Sequence, residues 1–426
     1  MRWGRGPLWR NPDFMKLWAG QTVSEFGSRF TRDGLPLVAV ISLGATATQT
    51  GLLAAASTVP VLLLALFAGV WVDRVRRRPV LISTDLARAA VLLLVPVGAW
   101  LGFLRIELLI GVAAATGALT VLFDVAYRSY LPVLVDRQYL VEGNSKLAVS
   151  GGAAEVAGPA MVGAVIQMFT APVAILIDAM SFLCSAFAVG AIRRREPSSP
   201  RSGERSGMRR DIAEGARVVL HHPVLRALAA AAATKTFFGG FYAALYGLYI
   251  IRELHLGPAA LGLAVAAGGA GDLIGALFAA RIARRFGLGR TLIGSAMVGG
   301  GVGLLTPLAF GPLAVALAML ATAQFIGDMM QSIYLVHETS LRQSVTPDRL
   351  LGRVNASTTF VSLGMLPVGA LTAGILGSQL GARATLLIAV FGMLASTLWL
   401  LGPSIRRLHW DGTASAPAGR AVADGA

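Results

Sequence analysis

The sequence predicts an all-α membrane protein with twelve transmembrane helices in two six-helix bundles. Three observations predict it. Hydrophobic residues fill 55% of the 426 positions and charged residues only 14%, against about 25% charged in soluble domains; the mean hydropathy is +0.68. Apolar runs of about 18 residues or more recur along the chain, each long enough to cross a hydrocarbon core about 30 Å thick. One long polar connection, "RRREPSSPRSGERSGMRRD" at 193–211, divides those runs six and six.

The spans are expected at 14–43, 50–73, 80–102, 106–135, 142–168 and 171–192, then at 219–251, 258–283, 288–310, 312–341, 354–379 and 382–402. The start, "MRWGRGPLWRNPDF", is basic and aromatic, and the span after it is too long and too charged for a signal-peptide core. Five regions follow from this: an N-terminus at 1–13, a first bundle at 14–192, a linker at 193–218, a second bundle at 219–402 and a tail at 403–426. Pro, Ser, Gly and Arg make the linker flexible, and "IAEGARVVLHHPVLRAL" leads amphipathically into the seventh span. The tail has a disordered composition. Fifty glycines and nineteen prolines suit helices packed closely in lipid.

Arginines fall on alternate connections. Arg2, Arg5, Arg10, Arg74, Arg76, Arg77, Arg78, Arg137, Arg193, Arg194, Arg195, Arg284, Arg285, Arg290, Arg349, Arg353, Arg406 and Arg407 mark one side, while the other carries Arg105, Arg252 and Arg383. By the positive-inside rule both termini are cytoplasmic and the number of spans is even. The net charge of +15 therefore marks topology and contacts with anionic headgroups. A nucleic-acid partner would need a soluble basic face, which the chain lacks. Cys184, the one cysteine, lies mid-span and forms no intrachain disulfide.

A shift of 211 residues lays "TGLLAAASTVPVLLLALFAGVWVDRVRRRPVLI" on "LGLAVAAGGAGDLIGALFAARIARRFGLGRTLI" without a gap, and brings Asn144 onto Asn355. Two repeated bundles point to a transporter whose site lies between its halves.

After the second span, "GVWVDRVRRRPV" at 69–80 places Gly69, Asp73, Arg74, Arg77 and Arg78 in a pattern that resembles the loop signature of the major facilitator superfamily, Gly-x-x-x-Asp-Arg-x-Gly-Arg-Arg. Arg76 stands where the second glycine is usual. The echo in the second half, "AARIARRFG", keeps Gly287 and has Arg284 at the place of the acid. The resemblance covers residues 11–402. "NPDFMKLWAGQTVSEFG", "YLPVLVDRQYLVEGN" and "LIDAMSFLCSAF" are similar to phrases of the twelve-span drug:proton antiporters related to macrolide and siderophore (enterobactin) exporters. In "AGPAMVG", Gly158, Pro159 and Gly163 partly match the fifth-helix antiporter motif, with Ala154 and Val162 where glycine is preferred. The resemblance implies the major facilitator fold and a conformational latch at the loop, with Asp73 pairing with the arginines and a helix N-terminus of the other half. A positive-inside anchor accounts for the arginines alone.

Ionisable residues inside a bilayer are costly and face a cavity or a partner. Glu25, Arg29, Arg32 and Asp33 lie on the first helix, where Glu25 to Arg29 and Arg29 to Asp33 are i,i+4 pairs on one face. Asp124 and Arg128 form another such pair on the fourth, near Tyr127. Glu155, Asp178, Asp272 and Asp328 stand alone in their helices, and Lys235 lies midway along the seventh. A carboxylate beside Arg stays ionised while a desolvated one takes up a proton, so Glu25, Asp33, Asp124, Asp178, Glu155, Asp272 and Asp328 are the candidates for proton coupling, with Arg29, Arg32, Arg128 and Lys235 as charge partners. Static ion pairing is the other role open to each. Phe238, Tyr242, Tyr246 and Tyr249 share one face of the seventh helix. With Tyr127 they offer rings to a flat or cationic amphiphile, or pack as core.

No HExxH, Gly-x-Ser-x-Gly or P-loop occurs, so neither an enzyme nor direct ATP drive is expected, and the five histidines form no metal-ligand set. The expected function is export of small amphipathic molecules (a drug, a siderophore or a secondary metabolite) in exchange for protons by alternating access. A lipid or lysolipid flippase of the same fold and a non-transporting sensor are the alternatives. No cofactor beyond the proton gradient is expected. The expected partners are a small-molecule substrate, protons and anionic lipids, and the chain is expected to be a monomer in the inner membrane of a bacterium with a GC-rich genome.

Overall fold

The computed structural model describes residues 7–72, 75–194, 208–402 and Ile405. Thirteen α-helices are present among them. In the first half these are α1 (Pro12–Leu37), α2 (Ala47–Val72), α3 (Arg77–Leu101), α4 (Ile106–Leu134), α5 (Leu140–Met168) and α6 (Ala171–Gly190). A short α7 (Met208–His221) precedes α8 (Pro223–Leu248), α9 (Pro258–Phe286), α10 (Leu288–Val302), α11 (Leu313–Val345), α12 (Asp348–Leu380) and α13 (Ala382–Ala395). All but α7 are the twelve transmembrane helices.

Local chemistry sets the ends. Asn11 caps α1 by accepting the Asp13 and Phe14 N–H groups, and Pro12 takes the first helical position. Gly102 adopts the left-handed conformation (φ 76°) that turns α3 into α4. The expected seventh span, starting at 219, divides instead: Pro223 begins α8, His222 caps it, and the amphipathic lead-in forms α7. The expected ninth span stops early as a helix, because the glycine-rich stretch after Val298 unwinds into a 3-10 turn at Gly303–Leu305.

The repeat is visible in the helix bounds. Pro12–Leu37 and Pro223–Leu248 begin and end 211 positions apart, and so do the π-helical turns that follow them, Val38–Ser42 and Tyr249–Glu253. Ten helical stretches among the described residues are apolar and long enough to cross a membrane; α1 and α8, the equivalent first helices of each half, carry more polar sequence and fall outside that set. Helices α1–α6 pack together, as do α8–α13, and α2 with α12 and α5 with α9 join the halves.

That junction is one-sided. The end at which α1 begins is rich in arginine, with Arg78, Arg137, Arg194, Arg285 and Arg353 among the described residues; the joining contacts lie toward the other, far end. A Cβ on Gly51 would stand 2.5 Å from the Ala370 carbonyl oxygen and 2.9 Å from the Gly374 Cα, and one on Gly374 would stand 3.0 Å from the Ala47 carbonyl oxygen. On the opposite flank Gly163 lies against Pro258 and Gly262, Gly262 against Pro159, and Gly269 against Glu155 and Val156. Only glycine lets backbones approach this closely. Apolar packing has the same polarity. Phe30, Leu35 and Ile175 of the first half share one buried cluster with Leu245, Tyr249 and Leu386 of the second at the far end. Toward the arginine-rich end, Phe14, Val72, Leu81 and Val189 belong to one cluster, and Leu228, Leu292 and Leu341 to another.

Overpacking such a contact costs about 1–3 kcal/mol, enough to move a two-state equilibrium by about tenfold. Gly163→Val is therefore expected to favour opening of the far end. With Cys184 replaced by Ala and a cysteine placed at Leu37, which is 1% exposed, alkylation from the far side should accelerate by about tenfold in the Gly163→Val background; an unchanged rate would show that the seal does not depend on this contact.

Candidate functional site between the helix bundles

The site begins where α1 lies in its own half. Gly20, Gly27 and Gly34 recur every seven residues and face α6: a Cβ on Gly20 would meet Ala188, one on Gly27 would meet Ser181 and Asp178, and one on Gly34 would touch Ile175. This spacing keeps one stripe of α1 flush against α6 and turns its charged residues toward α5 and the space between the halves.

Arg29 does not close the ladder expected along α1. Its guanidinium forks onto both carboxylate oxygens of Glu155 on α5, with Nη1 at 2.6 Å from Oε1. Bidentate pairing of this kind is the strongest arrangement an Arg–carboxylate pair adopts. Arg29 is buried, Glu155 half-exposed, and Arg32 approaches the same carboxylate at 3.9 Å. The motif glycine provides the room. A Cβ on Gly158, one turn beyond Glu155, would stand 2.6 Å from Cγ and 2.9 Å from Cβ of Arg29. Gly158 thus seats Arg29, while Pro159 and Gly163, on the same helix, meet α9 of the other half. Asp33 is half-buried, with its Oδ2 enclosed and unbonded, and Arg32 and Arg29 are the cations facing it.

Glu25 is exposed and lines a cleft of about 290 Å³ with Gln21, Thr22, Tyr127, Asn144 and Ser150. Tyr127 stacks on Phe123 at 5.9 Å. Asp124 and Arg128, the expected pair on α4, are both exposed and do not approach within ion-pair distance; Asp124 faces Arg88 of α3 as well as Arg128, Arg32 and Glu25. Behind them Asp178 is fully buried. Asp85 and Arg88, which sequence reasoning missed, form a buried ion pair on α3. The signal was available: they are an acid and a base three residues apart inside an apolar run, the same kind of pattern that drew attention to Asp124 and Arg128.

In the second half Lys235 on α8 donates to Gln331 Oε1 on α11 and lies 5.2 Å from the Tyr334 ring centroid. Asp328 faces both Lys235 and Asp272. Gly268 leaves space for the Asp328 carboxylate, with which any Cβ there would collide. The aromatic stripe of α8 is packed into its own bundle. Phe238 fills the space above Gly392 on α13, Tyr242 reaches the Gly303 carbonyl at 3.5 Å, and Tyr249 reaches that of Pro307 at 3.4 Å. The repeat gives the reason: Phe238 and Gly392 occupy the positions of Gly27 and Ser181, so the stripe is the equivalent of the α1 face that packs on α6. Tyr246 sits 5.9 Å from Tyr242 with its hydroxyl buried. Of the rings expected to meet substrate, Tyr127 is the one that lines the cleft.

Of the expected latch, Asp73 and Arg74 lie outside the described residues and Gly69 falls within α2. Arg77 opens α3. Arg78 donates to the carbonyls of Val189 (3.3 Å) and Gly190 (2.6 Å), closing the C-terminal end of α6 within the same half.

Two repeated six-helix bundles joined at one end, with charged groups held inside them, define a membrane transporter of the major facilitator superfamily rather than an enzyme. The chain belongs to the transmembrane secretion effector family, whose model matches residues 5–420. It is 28% identical over 402 residues to the multidrug efflux pump Tap of Mycolicibacterium fortuitum, covering 90% of this chain and 94% of that protein. Its fold is similar to a bacterial homologue of the iron transporter ferroportin in the inward-facing state, with a TM-score of 0.75, 17% identity and coverage of 93% and 99% of the two chains. Against an outward-facing state of such a homologue the TM-score is 0.55, with 17% identity and coverage of 91% and 98%.

Contacting charges couple by about 0.5–3 kcal/mol. Arg29→Ala and Glu155→Ala should each lower the melting temperature of the purified protein, and the double variant should lose less than the two losses summed. Strict additivity would mean that the pair contributes nothing to holding α1 on α5.

Proposed function

We propose that this transporter exports small amphipathic molecules, such as drugs, siderophores or secondary metabolites, in exchange for protons by alternating access. It acts as a monomer in the bacterial inner membrane with both termini in the cytoplasm. The observation that carries this reading is the one-sided junction: glycine contacts seal the halves at the far end, while toward the arginine-rich end each half has its own core. With arginines on the cytoplasmic side, this is an inward-facing state, in which a substrate enters from the cytosol. The higher similarity to the inward-facing ferroportin homologue supports that assignment, and the name of the Tap relative supports drug export.

The chemistry follows from the placement of charge. Glu25 and Tyr127 offer a carboxylate and a ring at the mouth of the first half, which suits a cationic or flat amphiphile. The candidate groups outside the buried seam are six acids, Glu25, Asp33, Asp124, Glu155, Asp272 and Asp328, and four bases, Arg29, Arg32, Arg128 and Lys235. Ions held in a low-dielectric site change protonation when their partners move away. Rocking the halves alternately opens these groups to water and closes them off, and so exchanges a proton for a bound substrate. The proton gradient is then the only energy source required.

Everted vesicles carrying an imposed pH gradient test this directly. Addition of a drug or siderophore from a panel is expected to release protons in the wild type, and a protonophore should abolish the release. Glu25→Gln, Asp33→Asn and Asp124→Asn should weaken it to different extents. A folded wild type that releases no protons with any compound would sink the antiport reading and favour a flippase or a sensor.

A further inference from the structure

We propose that Asp178 is a proton-binding site, and that its occupancy controls how α1 packs on α6. The coupling step rests on the export reading above; the binding of the proton does not.

Asp178 belongs to a polar seam buried between α1, α3 and α6. It and Asp85 are both 0% exposed, and Arg88 is 3% exposed. The Arg88 guanidinium is committed to Asp85 and is held there by two rings, with its Cζ 4.1 Å from the Phe123 centroid and 4.0 Å from that of Phe182. Asp178 has no such cation of its own. Ser181 donates to its Oδ1 at 3.0 Å, while Oδ2 is buried without a hydrogen bond. The neighbouring side chain on α1 is Thr31, whose buried hydroxyl lies against this carboxyl and interacts with it.

The charge count decides the protonation. The ionisable groups facing Asp178 are Asp85 and Arg88 of α3, and Asp124 of α4 faces the same Arg88. One cation thus serves two fully buried acids, with a third acid beyond it. An uncompensated carboxylate in a dry interior takes up a proton rather than remain ionised. Binding one proton converts the Asp178 carboxylate to a neutral carboxylic acid, breaks no bond, and lets the new O–H donate to the Thr31 hydroxyl. The packing makes this state consequential. Gly27 lies so close that a Cβ there would collide with Ser181 and press on the Asp178 carboxyl, so α1 packs directly over a carboxyl that is 0% exposed. Releasing the proton therefore requires α1 to move away from α6. Gln21, which lines the cleft, reaches Ser185 at 3.4 Å, and Ser185 in turn faces Asp85, so the seam begins at the cleft wall.

The seam exists in this half alone: the repeat positions of Asp85, Arg88 and Asp178 are Ala296, Gly299 and Ala389.

Infrared spectroscopy of the purified full-length protein in lipid at neutral pH reads the proton without any substrate. The carbonyl stretch of a protonated carboxylic acid in a dry environment is expected in the wild type, and is expected to be lost in Asp178→Asn and retained in Asp328→Asn. A band that survives Asp178→Asn, or no band in the wild type, overturns the site. Ser181→Ala, which keeps the acid, should shift the band rather than remove it; an unmoved band would also count against Asp178. In everted vesicles Asp178→Asn should abolish substrate-induced proton release while substrate still moves down its own gradient. If the band is lost but proton release persists, the coupling fails. A wild type that releases no protons while showing the band would count against the export reading and leave the site standing.

Discussion

In a bilayer, apolar side chains gain little by leaving lipid for one another, so helices are held by van der Waals packing of closely approached backbones and by polar groups that find partners. Glycine is the residue on which the rest of this structure depends. It sets α1 on α6 at Gly20, Gly27 and Gly34, joins the halves at Gly51, Gly163, Gly262 and Gly374, and opens the space that Arg29 and Asp328 occupy. Because each of these contacts is close, a single added methylene at one of them would favour one arrangement of helices over another. A transporter built this way can have two discrete packings of the same helices instead of a continuum.

The two repeats share a backbone and divide the chemistry. Where α1 crosses α5, an arginine rests over Gly158 and reaches Glu155; at the equivalent crossing of α8 and α12, Gly240 lies directly against the backbone of Leu366 and Ala370. Where α1 meets α6, Gly27 faces Ser181 and Asp178; where α8 meets α13, Phe238 fills the space over Gly392. A large side chain in one half matches a glycine in the other, so equivalent helices approach to different extents in the two halves. The first half holds the seam and the Arg29–Glu155 pair, and the second holds Lys235, Gln331 and the facing aspartates.

Two buried ion pairs differ in what they imply. Arg29–Glu155 has one half-exposed partner, and Arg29 has Asp33 and Glu25 on its own helix as further counter-charges if Glu155 moves away. Asp85–Arg88 is enclosed on every side, and separating it would leave a charge with no compensation. The first has the properties of a moving contact and the second those of a fixed one.

Hydropathy, the arginine bias and the 211-residue repeat were enough to determine the class of fold, the two halves and the helix order, since each is a property of composition along a line. The charged residues that matter could also be found there, because an ion in an apolar run is conspicuous, and Asp85 and Arg88 carry that same signal. What the tertiary structure alone decided was pairing and direction. The i,i+4 spacing on α1 allowed Arg29 to bond Glu25 or Asp33, and only the close approach of α5 over Gly158 turned it to Glu155. The spacing on α8 put four rings on one face, and only the packing of α13 showed that this face looks into its own bundle. Sequence spacing states which side chains share a surface, but which neighbour covers that surface depends on helix crossings between residues more than a hundred positions apart.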